Sequence, residues 1–375
     1  MPPDDKQFKT IAAITLKLAQ LGLEVTFVDP ITVGPLITTY RFAPKNAAKI
    51  SQITSLADDL ALALAVESVT VRRLPGEGVI GVSVPNLTRT VPLWRDHLKP
   101  DHITNQMHVP LALGVTSQGQ TFREDLSALP HLLIAGSTGG GKTVESRSII
   151  ASLMFWRSPE RVQFVLSDTK QVEFGLFDND PHMWRPRTTS VYQTLEYMDD
   201  LITEMESRLK LIAARKLHNI HEHNQLFPTT QLLSYIVLVI DELADLLASG
   251  DKGVSKLAQQ KLGTIVQKSR AAGVYVIAAT QRPSVNIVSG SIKANFPARL
   301  SFRLPSEADS RTVLGHSGAE HLLSLGDMFY VSPLAPSSRR LHSCYASTED
   351  ITQCIAFAQQ QMPASNKPVQ NYKTQ

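Results

Sequence analysis

The run His131-Leu-Leu-Ile-Ala-Gly-Ser-Thr-Gly-Gly-Gly-Lys-Thr143 constrains this chain more than any other stretch. Its apolar start, His131 to Ala135, reads as a buried strand. The glycines make a tight turn, and a helix follows from Lys142. Gly136, Gly141, Lys142 and Thr143 fit G-x-x-x-x-G-K-[ST], the loop that cradles phosphates. The chemistry requires these residue types. Glycines let successive amides curl inward with no Cβ in the way, and the helix start adds positive potential at the same place. Lys142 is expected to reach the β- and γ-phosphates of a nucleotide, and the Thr143 hydroxyl to ligate Mg2+. The whole cradle is Gly136, Ser137, Thr138, Gly139, Gly140, Gly141, Lys142, Thr143 and Val144. The competing account is a glycine turn that matches by accident. A strand before it and a helix after it weigh against that.

Further apolar runs repeat the pattern downstream. Val162 to Asp168, Tyr235 to Glu242 and Val274 to Gln281 read as strands with polar tips, separated by helices over Val191 to Lys216 and Lys256 to Arg270. Alternating strands and helices predict an α/β domain with a mostly parallel sheet covered on both faces, which binds ligands at the strand C-termini. Asp241 then fits the carboxylate that holds Mg2+, and Glu242 the group that orients and activates the attacking water. A solvated strand end is the plainer account of that pair. Gln281 is placed to sense a γ-phosphate through its amide. Arg270 could neutralise charge in the transition state or simply complement a helix dipole.

The first hundred residues differ. A helix over Phe8 to Gly22 (with Ile11, Ile14, Leu16, Leu18 and Leu21) and one over Ile50 to Ala65 alternate with strands at Leu23 to Val28, Leu36 to Phe42, Val69 to Arg73 and Val79 to Val84. This predicts a smaller α+β domain without a catalytic cluster. The expected division is 1–105 for that domain, 106–345 for the P-loop domain and 346–375 for a short helix and tail.

With 375 residues and 43% hydrophobic content the chain can bury cores for both. A net charge of +3 permits a nucleic-acid partner without arguing for one. Cys344 and Cys354 make no disulfide framework, no signal peptide is evident, and no apolar run is long enough to span a bilayer. A cytoplasmic protein without membrane insertion is the expectation. His218, His221 and His223 are read as a solvated helix end rather than a metal site, and Pro333 to Arg340 as a surface turn.

Longer literal stretches carry a resemblance. They include Glu204-Met-Glu-Ser-Arg208, Val239-Ile-Asp-Glu-Leu-Ala-Asp-Leu246, Arg270-Ala-Ala-Gly273, Ala279-Thr-Gln-Arg-Pro-Ser284, Ile292-Lys-Ala-Asn295, Asp309-Ser-Arg-Thr312 and Gly326-Asp-Met328. With the P-loop they make residues 131–330 resemble the motor domain of the FtsK/SpoIIIE family of DNA translocases. The stretches Thr39-Tyr-Arg41, Pro75-Gly-Glu-Gly78 and Val84-Pro-Asn86 resemble that family's α domain. The resemblance implies a RecA-like motor that hydrolyses ATP with Mg2+ as a hexameric ring around double-stranded DNA, in chromosome or plasmid partition. It implies that Arg270 completes a neighbour's ATP site, that Arg282 and Lys293 on the loop after the fourth strand face DNA phosphates, and that Arg311 adds a backbone contact. Glu307 departs from the lysine of several relatives, and Asp168-Thr-Lys170 from the usual Asp-Pro-Lys. Membrane helices and a winged-helix module are not evident, so a compact motor without its own sequence reader is expected. Two other readings stay open: an ATP-gated clamp that does not translocate, and a protein-translocating secretion ATPase. A helicase is disfavoured because no aromatic platform for single strands is evident.

Overall fold

Two sheets organise the backbone of the computed structural model, which describes residues 3–45, 56–74, 76–99, 103–104, 106–335 and 337–360. The smaller sheet has four antiparallel strands, β1 (Val25–Val33), β2 (Ile37–Pro44), β3 (Thr70–Leu74) and β4 (Val79–Pro85), in the order β1-β2-β4-β3. The helix Asp5–Gln20 starts at a capping box, Asp4 accepting from the Gln7 amide while the Gln7 side chain returns to the Asp4 amide. Its Ile14 and Leu18 are fully buried, with Leu60, Phe42 and Val82. Leu16 and Leu21, grouped with them by the sequence pattern, are exposed. Leu16 stands two residues from each buried position, which turns it to the opposite side of a 3.6-residue helix. Of the helix expected over Ile50 to Ala65, the described part is Ala57–Ala63, and residues 50–55 lie outside the described residues.

The larger sheet has nine strands in the order β6-β5-β13-β12-β11-β7-β10-β9-β8. β7 (His131–Ala135), β8 (Val162–Ser167), β9 (Tyr235–Ile240), β10 (Val274–Thr280) and β11 (Ala298–Ser301) are parallel. Helices Lys142–Trp156, Val191–Ala214 and Lys252–Lys268 connect them, so β7, β9 and β10 are buried on both faces and read as unbroken apolar runs. β5 (Pro110–Thr116), β6 (Thr121–Asp125), β12 (Asp327–Val331) and β13 (Arg339–His342) extend the sheet antiparallel from β11. Arg340, read from sequence as part of a surface turn, is a buried residue of β13. It survives there because its Nε donates to Asp327 Oδ1 at 2.9 Å.

The small sheet rests on the large one through Arg72. Its guanidinium donates to the Ser338 carbonyl and lies 4.7 Å from the centre of the Phe329 ring. The helix Thr348–Gln360 packs on the helix that follows the P-loop. Cys354 Sγ reaches the Ala151 carbonyl at 3.4 Å, and the Phe155 and Phe357 rings stack at 5.4 Å. Among the described residues no helix is long and apolar enough to cross a membrane.

Candidate nucleotide site

The glycine-rich turn leaves β7 between its two parallel neighbours, β10 and β11. The Gly136 amide donates to the Thr280 carbonyl (3.2 Å) and the Ser137 amide to the Arg303 carbonyl (3.0 Å), so the segments on both sides hold the start of the turn. Two positions require glycine. A Cβ on Gly136 would stand 2.7 Å from the Phe302 Cβ. Gly141 has φ +115° and is crowded by both Phe302 and Gly326. The Gly326 amide also donates to the Gly140 carbonyl at 3.1 Å, tying the turn to the segment before β12. Gly139 and Thr138 are exposed at the tip, while Thr143 and Val144 are half-buried in the first helical turn, where amides have no carbonyl within the helix to bond.

Lys142 and Asp241 converge below the turn. Lys142 Nζ donates to Asp241 Oδ1 at 3.0 Å and to its carbonyl at 2.9 Å, with the two side chains 3% and 0% exposed. A buried pair of this kind must be well bonded to survive, yet Asp241 Oδ2 is buried without a hydrogen-bond partner. Glu242, also buried, caps the helix Leu243–Leu247. Its Oε1 accepts from the Thr280 hydroxyl at 2.7 Å, its Oε2 from the Gln281 amide at 3.0 Å, and Lys170 Nζ stands 3.5 Å from Oε2. The pair at the end of β9 is therefore not a solvated strand tip. The Thr138 hydroxyl meets Gln281 Oε1 at 3.2 Å, which brings that side chain against the turn. Four sequence-predicted residues, Lys142, Asp241, Glu242 and Gln281, thus share one edge of the sheet.

Lys142, Gln281 and the glycine turn border a cleft of about 550 Å³. Its far end is apolar: Val91, Leu93, Leu325 and Tyr345 line it. Glu145, in the first turn of the P-loop helix, lies fully buried behind it. Burial pushes its carboxyl up to about 7, against the hydrogen bond it accepts from the Ser343 hydroxyl.

Arg270 is elsewhere. It lies just past the helix Lys252–Lys268, exposed, in the turn that enters β10. The seven residues of β10 separate it from Thr280, about 20 Å at the rise of a strand. That turn is firmly held. Arg208 Nη1 donates to the Ala272 carbonyl at 3.2 Å, the Ile220 amide to the Ala271 carbonyl at 2.9 Å, and Ser269 Oγ to the Val274 carbonyl at 2.6 Å. At the same edge His131 bridges the Val276 amide and the Val266 carbonyl; burial lowers its pKa to about 4.

Arg282 is exposed at the end of β10, on the P-loop edge, and Lys293 is half-buried in the helix Gly290–Asn295 that follows. Arg311 is exposed and ion-paired with Glu307, one helical turn earlier, at 2.6 Å. An exposed i,i+4 pair stabilises by only about 0.3–0.5 kcal/mol, so Arg311 is held but easily released. Of the three histidines only His218 is exposed as a solvated helix end would be. His223 is fully buried between Arg215 and the Gln231 carbonyl, and His221 bonds the Tyr235 hydroxyl.

Sequence reasoning quoted Lys170 and Arg208 within family-like stretches without giving either a role, and missed the apolar end of the cleft. A cation shortly after the polar tip of β8 was the available signal for Lys170. Arg208 Nε donates to Glu204 Oε1 at 2.7 Å, an i,i+4 pair that the sequence offered, whereas its Nη1 acceptors, the Ser234 and Ala272 carbonyls, leave no trace in sequence.

The model of the FtsK/SpoIIIE family matches residues 95–285, and that of the FtsK alpha domain residues 3–86. The DNA translocase FtsK of Lactiplantibacillus plantarum is 38% identical over 362 residues, covering 94% of this chain and 45% of the relative. That of Campylobacter jejuni is 37% identical over 333 residues, covering 88% and 35%. The chain thus spans less than half the length of these relatives. Among solved structures, the pCW3 conjugation coupling protein TcpA superposes with a TM-score of 0.66 at 22% identity, covering 94% of this chain and 99% of that one. The secretion ATPase EccC of Thermomonospora curvata gives 0.60 at 21% identity over 71% of this chain and 34% of its own. At these identities the two share the fold.

Proposed function

This chain belongs to the FtsK/SpoIIIE family, and from that premise we propose that it hydrolyses ATP to move along or pump double-stranded DNA, as a hexameric ring of identical subunits in the cytoplasm. The observation that carries the reading is the convergence of Lys142, Asp241, Glu242 and Gln281 beneath one glycine turn. We take 1–105 as the small domain, 106–345 as the motor and 346–375 as its C-terminal extension.

The residues fit Mg2+. The unpartnered Asp241 Oδ2 and the Thr143 hydroxyl are hard oxygen donors. Asp241 and Thr143 would hold the ion, which would supply neutralisation of the phosphate charge. Lys142 then leaves Asp241 for the phosphates, which replace one buried counter-charge by another. Glu242 orients the attacking water and takes its proton. Gln281, already beside the turn through Thr138, meets the γ-phosphate. Arg270 acts on the site of the next subunit.

Arg282 and Lys293 track the DNA backbone, and Arg311 joins them when DNA phosphate displaces Glu307. Such contacts hold without reading sequence. The first test is the ATPase rate with long linear duplex, with single-stranded DNA and without DNA. Duplex alone should stimulate it strongly. Equal rates under all three conditions would reject a duplex-coupled motor and favour the clamp or a protein cargo. Arg282→Ala with Lys293→Ala should weaken duplex affinity and lower the slope of log K against log salt by about 0.9 per lost phosphate contact. An unchanged slope in a salt titration would remove both residues from the DNA path.

A further inference from the structure

Thr280, the last residue of β10, is fully buried and bonded to three different parts of the molecule. Its carbonyl accepts from the Gly136 amide at 3.2 Å, where the phosphate-binding turn begins. Its hydroxyl donates to Glu242 Oε1 at 2.7 Å and accepts from the Arg282 amide at 3.1 Å. Arg282 opens an exposed stretch that runs through Ser284, Val285 and Asn286 toward the helix carrying Lys293. One hydroxyl therefore stands between the exposed loop and the buried carboxylate and touches both, so coupling between them needs no longer chain of contacts.

Glu242 has its acceptor capacity filled. An ionised carboxylate offers about four lone-pair sites. Among the described residues four donors meet Glu242. The Thr280 hydroxyl and the Ala244 amide (3.3 Å) bond Oε1, the Gln281 amide reaches both oxygens (3.3 and 3.0 Å), and the Lys170 ammonium stands 3.5 Å from Oε2. A base that takes a proton from water must first come within hydrogen-bond reach of it, so one donor has to give way. The Ala244 amide belongs to the helix that Glu242 caps. Thr280 and Gln281 lie where β10 gives way to the exposed loop, so a shift of the chain there loosens two donors together.

Resting on the ATPase and duplex readings above, we infer that Thr280 is a positioning residue that lets the DNA-contacting loop control Glu242. Its hydroxyl occupies the carboxylate until DNA phosphate draws the Arg282 segment aside, and the freed lone pair then accepts from the attacking water. A ligand shifts an equilibrium only by binding one arrangement better than the other. The bond from the Arg282 amide to the Thr280 hydroxyl supplies that difference, because it belongs to the occupied arrangement alone.

The test is phosphate release by the full chain without DNA and with saturating long duplex, together with ADP affinity by calorimetry. Thr280→Val keeps the branched shape and removes the hydroxyl. Turnover without DNA should rise about tenfold, the worth of one hydrogen bond to a charged group. The duplex-stimulated rate and ADP affinity should stay near wild type, so the stimulation ratio falls by the same factor. Thr280→Ser, which keeps the hydroxyl, should keep the wild-type ratio. If Thr280→Val does not fold, Thr280→Cys, a weaker donor of similar size, should move the ratio the same way. A wild-type ratio in the folded variant, or an equal loss of turnover with and without duplex, overturns the inference; the second result is what a purely structural role would give. Failure of the underlying readings shows elsewhere. Wild-type turnover that duplex leaves unchanged rejects the DNA motor, and wild-type turnover by Glu242→Gln rejects the base; either result takes the coupling with it.

Discussion

Glu242→Gln should bind ATP as tightly as wild type and turn it over about 10²–10⁴-fold more slowly, the usual contribution of a positioned general base. The side chain is 3% exposed, and its oxygens are held by the Thr280 hydroxyl, the Ala244 and Gln281 amides and Lys170. Glutamine keeps the volume and one acceptor oxygen for Thr280 and the Gln281 amide, so the strand end and the P-loop should keep their form. What it lacks is the capacity to take a proton from water. Lys142→Ala offers the contrast. It removes the cation that would meet the phosphates and leaves buried Asp241 without its partner, so binding itself should fail. Phosphate release measures turnover, and a fluorescent ATP analogue measures binding. Turnover by Glu242→Gln within tenfold of wild type would take the base role away from Glu242. Joint loss of binding and turnover would make Glu242 a structural cap of the helix Leu243–Leu247.

The half of the fold that carries these residues was legible because parallel strands covered on both faces must be apolar throughout. β7, β9 and β10 each appear as one unbroken run with a polar tip. The P-loop was legible because its backbone path excludes side chains, as the Phe302 contact at Gly136 makes plain. The cleft's apolar end was not, because Val91, Leu93, Leu325 and Tyr345 come from segments far apart in the chain and meet only through tertiary contact. Arg340 and His223 were misread for a related reason. A charged or polar side chain defaults to the surface, and only the partner supplied by folding, Asp327 in one case and the Gln231 carbonyl in the other, makes burial tolerable.

Arg270→Ala should fold normally, bind ATP and be inactive alone, yet regain turnover when mixed with the equally inactive Lys142→Ala. Arg270 is exposed, so truncation removes no packing, and its turn is fixed by Arg208, Ile220 and Ser269 rather than by its own guanidinium. It stands at the opposite edge of the sheet from Lys142, with β10 between them, so one subunit cannot bring both to one phosphate. A contact that joins the P-loop edge of one subunit to the Arg270 edge of the next is heterologous, and in the proposed ring every junction repeats it. At equal mixing, about one junction in four then pairs an intact Lys142 site with an intact Arg270. A finger arginine is worth about 10³–10⁵ in rate, so even that fraction stands far above either parent. Turnover should follow the mixing ratio, peak at equal amounts and vanish when either variant is in large excess. Co-assembled rings that stay inactive at every ratio would refute action on a neighbour. A single variant, Arg270→Ala, that remains active alone would remove Arg270 from the chemistry altogether and leave its charge to the local field of the helix end.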